Sequence, residues 1–437
     1  MSLRIPIASL VLVGAGSLGG AAVAQTAAPG YGVDELAVAS GGFVGGFELL
    51  PGGNYALFDG AAVVELSADD GSLVQTLFTP ASFVFGAFLT LSPDGTKLYF
   101  GESSDGKVHE IDLATLASRE VLDTVFPYDL AFDARGRPFL SYALGFGTGS
   151  YVALCDFAQG TLDDVIVSAD ASGPLAFDAA GDLYTATPDT SSFPPPPDAT
   201  EVLRFAAGDL EAGIGDGTIG TDAGELIGRV DGAAGIALDG AGDVLVTDPN
   251  YGVVVDLDPV SGVERVVATS GRAFAGFVYL RAARGTKGVF EPWQPSTGGS
   301  LLAIHSDFFT FNGITRVAPA RPVITTDPPG TIPPGPFDFH VTGAVPDGLG
   351  LVLITGAAAQ DEIPLGNGSW PAPLYFGLDL AGGLRVIPIA TDADGELHET
   401  ADNPGLGGVT LAFQLAVGER GGGPYYGTSV AVEILLQ

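Results

Sequence analysis

Leu130-Ala131-Phe132-Asp133-Ala134-Arg135-Gly136, Leu175-Ala176-Phe177-Asp178-Ala179-Ala180-Gly181 and Ile236-Ala237-Leu238-Asp239-Gly240-Ala241-Gly242 are three copies of one motif. Each is a short apolar strand that ends in an acidic turn. The closing glycine supplies the positive φ that a tight hairpin needs. Leu89-Thr90-Leu91-Ser92-Pro93-Asp94-Gly95 is a fourth copy, and weaker ones end at Gly53 and Gly299. The glycines at 53, 95, 136, 181, 242 and 299 are 42, 41, 45, 61 and 57 residues apart.

Working outward from Gly242, a second strand is expected over 243–247 and a third over 253–257. A more polar fourth follows over 264–268. Four short strands every 40–45 residues is the period of a propeller blade. The two wide spacings come from insertions, at 188–201 and 214–224 in blade four and at 284–298 in blade six. Residues 312–317 read as the third strand of blade six, with no good fourth strand before the prolines that follow. Residues 33–39 are strand-like and precede blade one, so they are expected to complete blade six and close the ring.

The fold class is therefore all-β: a six-bladed β-propeller followed by a C-terminal β-sandwich. Residues 1–24 read as a signal peptide, with Arg4, a mostly apolar stretch, and Ala22-Val23-Ala24 before the cleavage point. Residues 25–318 form the propeller and 319–336, rich in proline, a linker. The sandwich occupies 337–437, with strands expected over 337–345, 349–355, 372–380, 384–390, 409–417 and 429–436.

Composition narrows the function. The 437 residues hold 46% hydrophobic side chains, too many for a disordered chain. A net charge of −35 repels nucleic acid and anionic membranes. No segment of 18 uninterrupted apolar residues is present to span a membrane. Cys155 is the only cysteine, which excludes an intramolecular disulfide, and its apolar neighbours mark a buried thiol. The four histidines, at 109, 305, 340 and 398, stand far apart, and no Gly-x-Ser-x-Gly elbow or Walker loop occurs. Asp392-Ala393-Asp394-Gly395-Glu396 lacks the further ligands of a calcium loop and reads as a solvated turn.

The blade register points to a site. Six residues beyond the turn glycines fall Asp59, Gly101, Tyr142, Thr187, Asp248 and His305. All are expected to end second strands on one face. That face also receives loops entering first strands, such as Tyr128-Asp129 and Asp231. Asp59, Tyr142, Asp248, Asn250, His305 and Asp307 are the candidate ligand-binding residues. Asp248 and Asn250 are the candidate metal ligands, and oxygen donors from several blades would suit calcium.

Gly235 through Asn250, with its apolar-Asp-Gly turn and strand ending Asp248-Pro249-Asn250, resembles the NHL-type repeat of six-bladed propellers. NHL-like, lactonase-like and YVTN-like propellers all fit this resemblance. Residues 387–396 with 409–414 resemble C-terminal modules of secreted bacterial proteins. With no catalytic motif in view, the favoured reading is a secreted, non-enzymatic binding protein. Its propeller face would hold an unidentified protein, glycan or small molecule. The alternative, which the resemblance implies, is a metal-dependent propeller hydrolase or lyase with an acidic site at the channel mouth.

Overall fold

The computed structural model describes residues 25–437, apart from 28–30, 41–45, 69, 83, 85–86, 146–147, 189–195, 240–241, 261–263, 271–275, 283–300, 307–310, 320–321, 328, 343, 345–347, 357, 367–373, 379–384, 393–395, 404–408, 419–425 and 429–431. The repeat's aspartates turn out to cap their own hairpins. Asp133 Oδ1 accepts the Arg135 and Arg137 N–H groups at 2.9 and 2.8 Å. Asp178 Oδ1 does the same for Ala180 and Asp182, and Asp239 Oδ1 for Gly242 and Asp243. In the fourth copy Ser92 Oγ takes the Lys97 N–H at 3.0 Å. The following glycines sit at φ +70° to +100°, a region closed to most L-residues.

Each capped hairpin opens a four-stranded antiparallel sheet. In blade two the strands are Ala87–Leu91, Lys97–Glu102, Lys107–Asp112 and Ser118–Asp123, paired in chain order. Five sheets repeat this plan between residues 47 and 269, and a sixth is built from Gly276–Ala282, Leu301–Ser306, Phe311–Pro319 and Tyr31–Ser40. The first strands of successive blades pack against each other. Buried polar groups join them as well. Glu48 of blade one accepts the Leu91 N–H of blade two at 3.2 Å, and Thr90 donates to the Leu130 carbonyl of blade three at 2.8 Å. Asp129, 1% exposed, accepts both its neighbour Leu130 N–H and the Leu175 N–H of blade four, each at 2.9 Å. Tyr128 reaches further, donating to the Ala234 carbonyl before blade five at 3.1 Å.

The closing strand is as expected. Tyr31–Ser40 runs antiparallel to Phe311–Pro319, with Val33 opposite Val317 and Ala39 opposite Asn312. Phe47, Tyr55 and Leu57 of blade one share an apolar cluster with Leu302, Ile304 and Ile314 of blade six. The ring is thus joined in both its hydrogen bonds and its core.

One element was not expected and one expectation is corrected. A helix, Ala207–Asp216, runs into the start of the glycine-rich insertion of blade four, and its Ala207 N–H donates to Asp182 Oδ1 at 2.8 Å. Leu210, 2% exposed, holds it in the blade-three core beside Val165 and Ile166. Glu211 binds Arg135 of the blade-three turn at 2.8 Å. The short strand Ile219–Gly220 then pairs with Ile166 and Val167 in parallel, covering the outer edge of blade three.

Nor are residues 319–336 a free linker. Val323–Asp327 pairs with Gly335–Thr342, and Thr331–Ile332 pairs with Val432–Leu436. Pro322 precedes the first of these strands, where a missing N–H costs the ladder nothing. The C-terminal region has one sheet of Val323–Asp327, Gly335–Thr342 and Leu397–Asn403. A second contains Thr331–Ile332, Val432–Leu436, Val409–Gly418, Leu349–Thr355 and Arg385–Ala390. Phe337, Phe339 and Val341 from the first share one core with Val352, Phe413, Leu415 and Ile434 from the second.

Candidate functional site

The register read from the glycines holds. Asp59 follows the second strand of blade one, and Tyr142 is one residue from the end of that of blade three. Asp248 ends the second strand of blade five, and His305 lies one residue from the end of that of blade six. Asp307 lies outside the described residues. A common strand end does not make one constellation, however. Asp59 Oδ1 is engaged by the Ala61 and Ala62 N–H groups at 2.8 Å. The Tyr142 hydroxyl donates to Asp164 within its own blade at 2.7 Å, and burial, reinforced by that carboxylate, pushes the phenol above its ordinary value.

Asp248 does gather partners. It is 3% exposed, and its Oδ1 accepts the Asn250 N–H at 2.8 Å. Asn250 Nδ2 in turn donates to the Asp231 carbonyl at 2.9 Å, which ties the strand end to the loop entering blade five. Gly232 makes this approach possible. A Cβ there would stand 2.6 Å from Asn250 Nδ2 and 3.1 Å from Asp248 Oδ1. Burial pushes the Asp248 carboxyl up to about 6; N–H groups of Asn250, Tyr251 and Gly232 oppose the shift and the nearby Asp231 charge adds to it. Asp231 itself accepts the Asp198 N–H at 2.6 Å, bringing a third acid from the blade-four insertion.

The same face holds a small cleft between blades three and four, with room for about 20 Å³, roughly one water molecule. Ser141, Ser150, Ser168, Ser172, Thr185 and Thr187 line it together with Val152, Ile166 and Phe205. Ser141 donates across the blade boundary to the Gly173 carbonyl at 2.7 Å. No charged side chain lines the cleft. A carboxylate–imidazole pair that the sequence reading missed lies in blade two, where buried Glu102 meets His109 Nε2 at 3.1 Å. Its signal was present as alternation, since residues at offset positions on adjacent strands share a face. Cys155 is buried, and burial pushes its thiol far up, so it is a packing residue.

The metal expectation meets a poor donor set. Calcium takes six to eight oxygens. One Asp248 oxygen caps a backbone N–H and the Asn250 amide nitrogen is committed to Asp231. Among the described residues no three His, Cys, Asp or Glu side chains come together to hold a metal. The Asp248–Asn250 pair therefore does not fit a calcium centre by itself. Among the described residues, too, no helix is long and apolar enough to cross a membrane.

No family model and no curated protein matches the sequence. Solved β-propeller structures do resemble it. A gluconolactonase from Xanthomonas campestris is 14% identical, with 66% of this chain and 89% of that one covered at a TM-score of 0.46. A luciferin-regenerating enzyme is 10% identical over 66% and 95%, again at 0.46. An aldose sugar dehydrogenase from Streptomyces coelicolor, in its PQQ-bound form, is 16% identical over 67% and 100% at 0.44. These likenesses concern fold, and no chemistry is carried over from them.

The expectation of a non-enzymatic binding protein is corrected to this extent: the similar structures named above are described as enzymes. The strand-end face also carries a buried carboxylate, Asp248, that burial raises to about 6.

Proposed function

We propose that the protein is an exported propeller enzyme that hydrolyses a small, neutral, hydroxyl-bearing ester or lactone at the strand-end face. The observation that supports this most is Asp248. A carboxylate with a value near 6 can accept and return a proton at ordinary pH, which one near 4 does poorly. In this reading Asp248 takes a proton from the attacking water. The water oxygen bonds to the acyl carbon, and the proton passes to the departing alkoxide. Asn250 and Asp231 hold the carboxylate in place. Serine and threonine hydroxyls beside the small cleft of blades three and four match a hydroxyl-bearing substrate, and the net charge of −35 disfavours an anionic one. Residues 1–24 serve as the export leader. No step is assigned to calcium or another metal.

The test is a screen of neutral sugar lactones and aryl esters, run with added calcium and with chelator. Activity should follow a pH profile with an apparent pKa near 6, and Asp248→Asn should lower kcat by about 100-fold or more with the fold intact. Full activity in Asp248→Asn, or no turnover of any compound in either arm, would overturn the assignment.

A further inference from the structure

We propose that His340 and His398 form a binding site for a borderline divalent transition metal such as zinc, nickel or copper, on the outer face of the C-terminal three-stranded sheet. The two residues are 58 positions apart in sequence and directly opposite in the register of Gly335–Thr342 and Leu397–Asn403. Phe339 and Val341 face the core, so strand alternation turns His340 outward.

Three observations converge. The Nδ1 atoms of the two rings stand 2.5 Å apart, with ring planes at 83°. At most one proton fits between them, so at least one nitrogen aims its lone pair at the other. A metal ion that displaces the shared proton would meet both imidazole lone pairs, half of a tetrahedral zinc shell. Such a shell would spread the nitrogens to about 3.3 Å, given metal–nitrogen bonds of about 2.0–2.1 Å. Exposed rings on facing strands reach this with small rotations.

Next, Glu396 Oε2 lies 3.3 Å from the far nitrogen of His398. A carboxylate that accepts the Nε2–H fixes the tautomer whose free lone pair is on Nδ1, toward His340. This is the outer-shell arrangement that orients metal-bound histidines. Glu396 is itself held by the turn, where its N–H donates to Asp392 Oδ1 at 2.8 Å.

Finally, the site is open, with the His398 side chain 57% and Glu396 43% exposed. Water can complete the coordination, since no third such ligand joins the pair among the described residues. Nitrogen donors select these metals over calcium or magnesium. The acidic chain raises the local concentration of any cation.

Tag-free mature protein titrated with zinc against a chromophoric chelator, and with copper followed by electron paramagnetic resonance, tests the site. One equivalent should bind, with coupling from two nitrogens in the copper spectrum. His340→Gln and His398→Gln should each weaken binding at least 100-fold with an unchanged melting temperature, and Glu396→Gln should weaken it about 10–100-fold. Absence of stoichiometric uptake by the parent protein would mean that the rings merely share a proton, and would overturn the proposal. Uptake and spectra unchanged in the His340→Gln/His398→Gln double variant would do so equally.

Discussion

Asp129 and Asp248 show how one residue type does opposite things in this ring. Both are almost fully buried. Asp129 spends its two oxygens on backbone N–H groups of adjacent blades, so its charge is used as mortar. Replacing it with alanine strands two buried donors and should lower unfolding free energy by about 2–4 kcal/mol in urea titrations. Asp248 also accepts backbone N–H groups, yet burial outweighs them and leaves its carboxyl near 6 in place of 3.8. Above pH 6 the folded chain must keep a buried charge. Below about 4 both folded and unfolded chains hold the proton. The stability linked to this group is therefore complete at low pH and lost as pH rises from about 4 to 6, by at most about 3 kcal/mol. Asp248→Asn keeps the Oδ1 acceptor and lacks the charge. Its melting temperature should fall less than that of the parent between pH 4.5 and 7.5, and an equal fall in both would refute the argument.

At the scale of elements, what was readable was what is local. An aspartate or serine three residues before a positive-φ glycine closes a hairpin using its own neighbours, so four turns and their strands could be read directly. The second-strand register followed from the same spacing. Closure by the N-terminal strand was readable by elimination, because blade six ran out of strands before the prolines. The helix Ala207–Asp216 was hidden by its glycines, since helix propensity there is poor and burial of Leu210 against blade three supplies the stability. Val323–Asp327 was hidden by flanking prolines, and the polar strand Leu397–Asn403 by its lack of an apolar stripe. The pairing of His340 with His398 depends on that strand's partner, which no local signal specifies. Removal of residues 31–40 exposes the edge of Phe311–Pro319 and opens the ring. The melting temperature should fall by more than 10 °C by calorimetry, and an unchanged transition would show that the ring does not depend on this strand.

At the scale of the molecule, charge and topology set the conditions for stability. With 52 acids against 17 bases, repulsion between carboxylates is not balanced by the ion pairs that bind blade strands together, such as Arg119 with Glu110 and Arg204 with Glu225. Screening lengths shrink from about 30 Å at 0.01 M salt to about 10 Å at 0.1 M. Sodium chloride raised from 0.02 to 0.5 M should therefore raise the melting temperature by several degrees, and a fall would show that attractive pairs dominate.

The strand Tyr31–Ser40 also sets a timetable. It leaves the ribosome near the start of synthesis, yet its partner, Phe311–Pro319, is made more than 270 residues later. Every intermediate chain carries an unsatisfied strand at its head while five blades assemble behind it. Such distant pairing slows folding. The two strands cannot meet until nearly three quarters of the chain has been made. The ring's last bond is made by its oldest segment, so a chain cut short before blade six is left open however well its first five blades have formed.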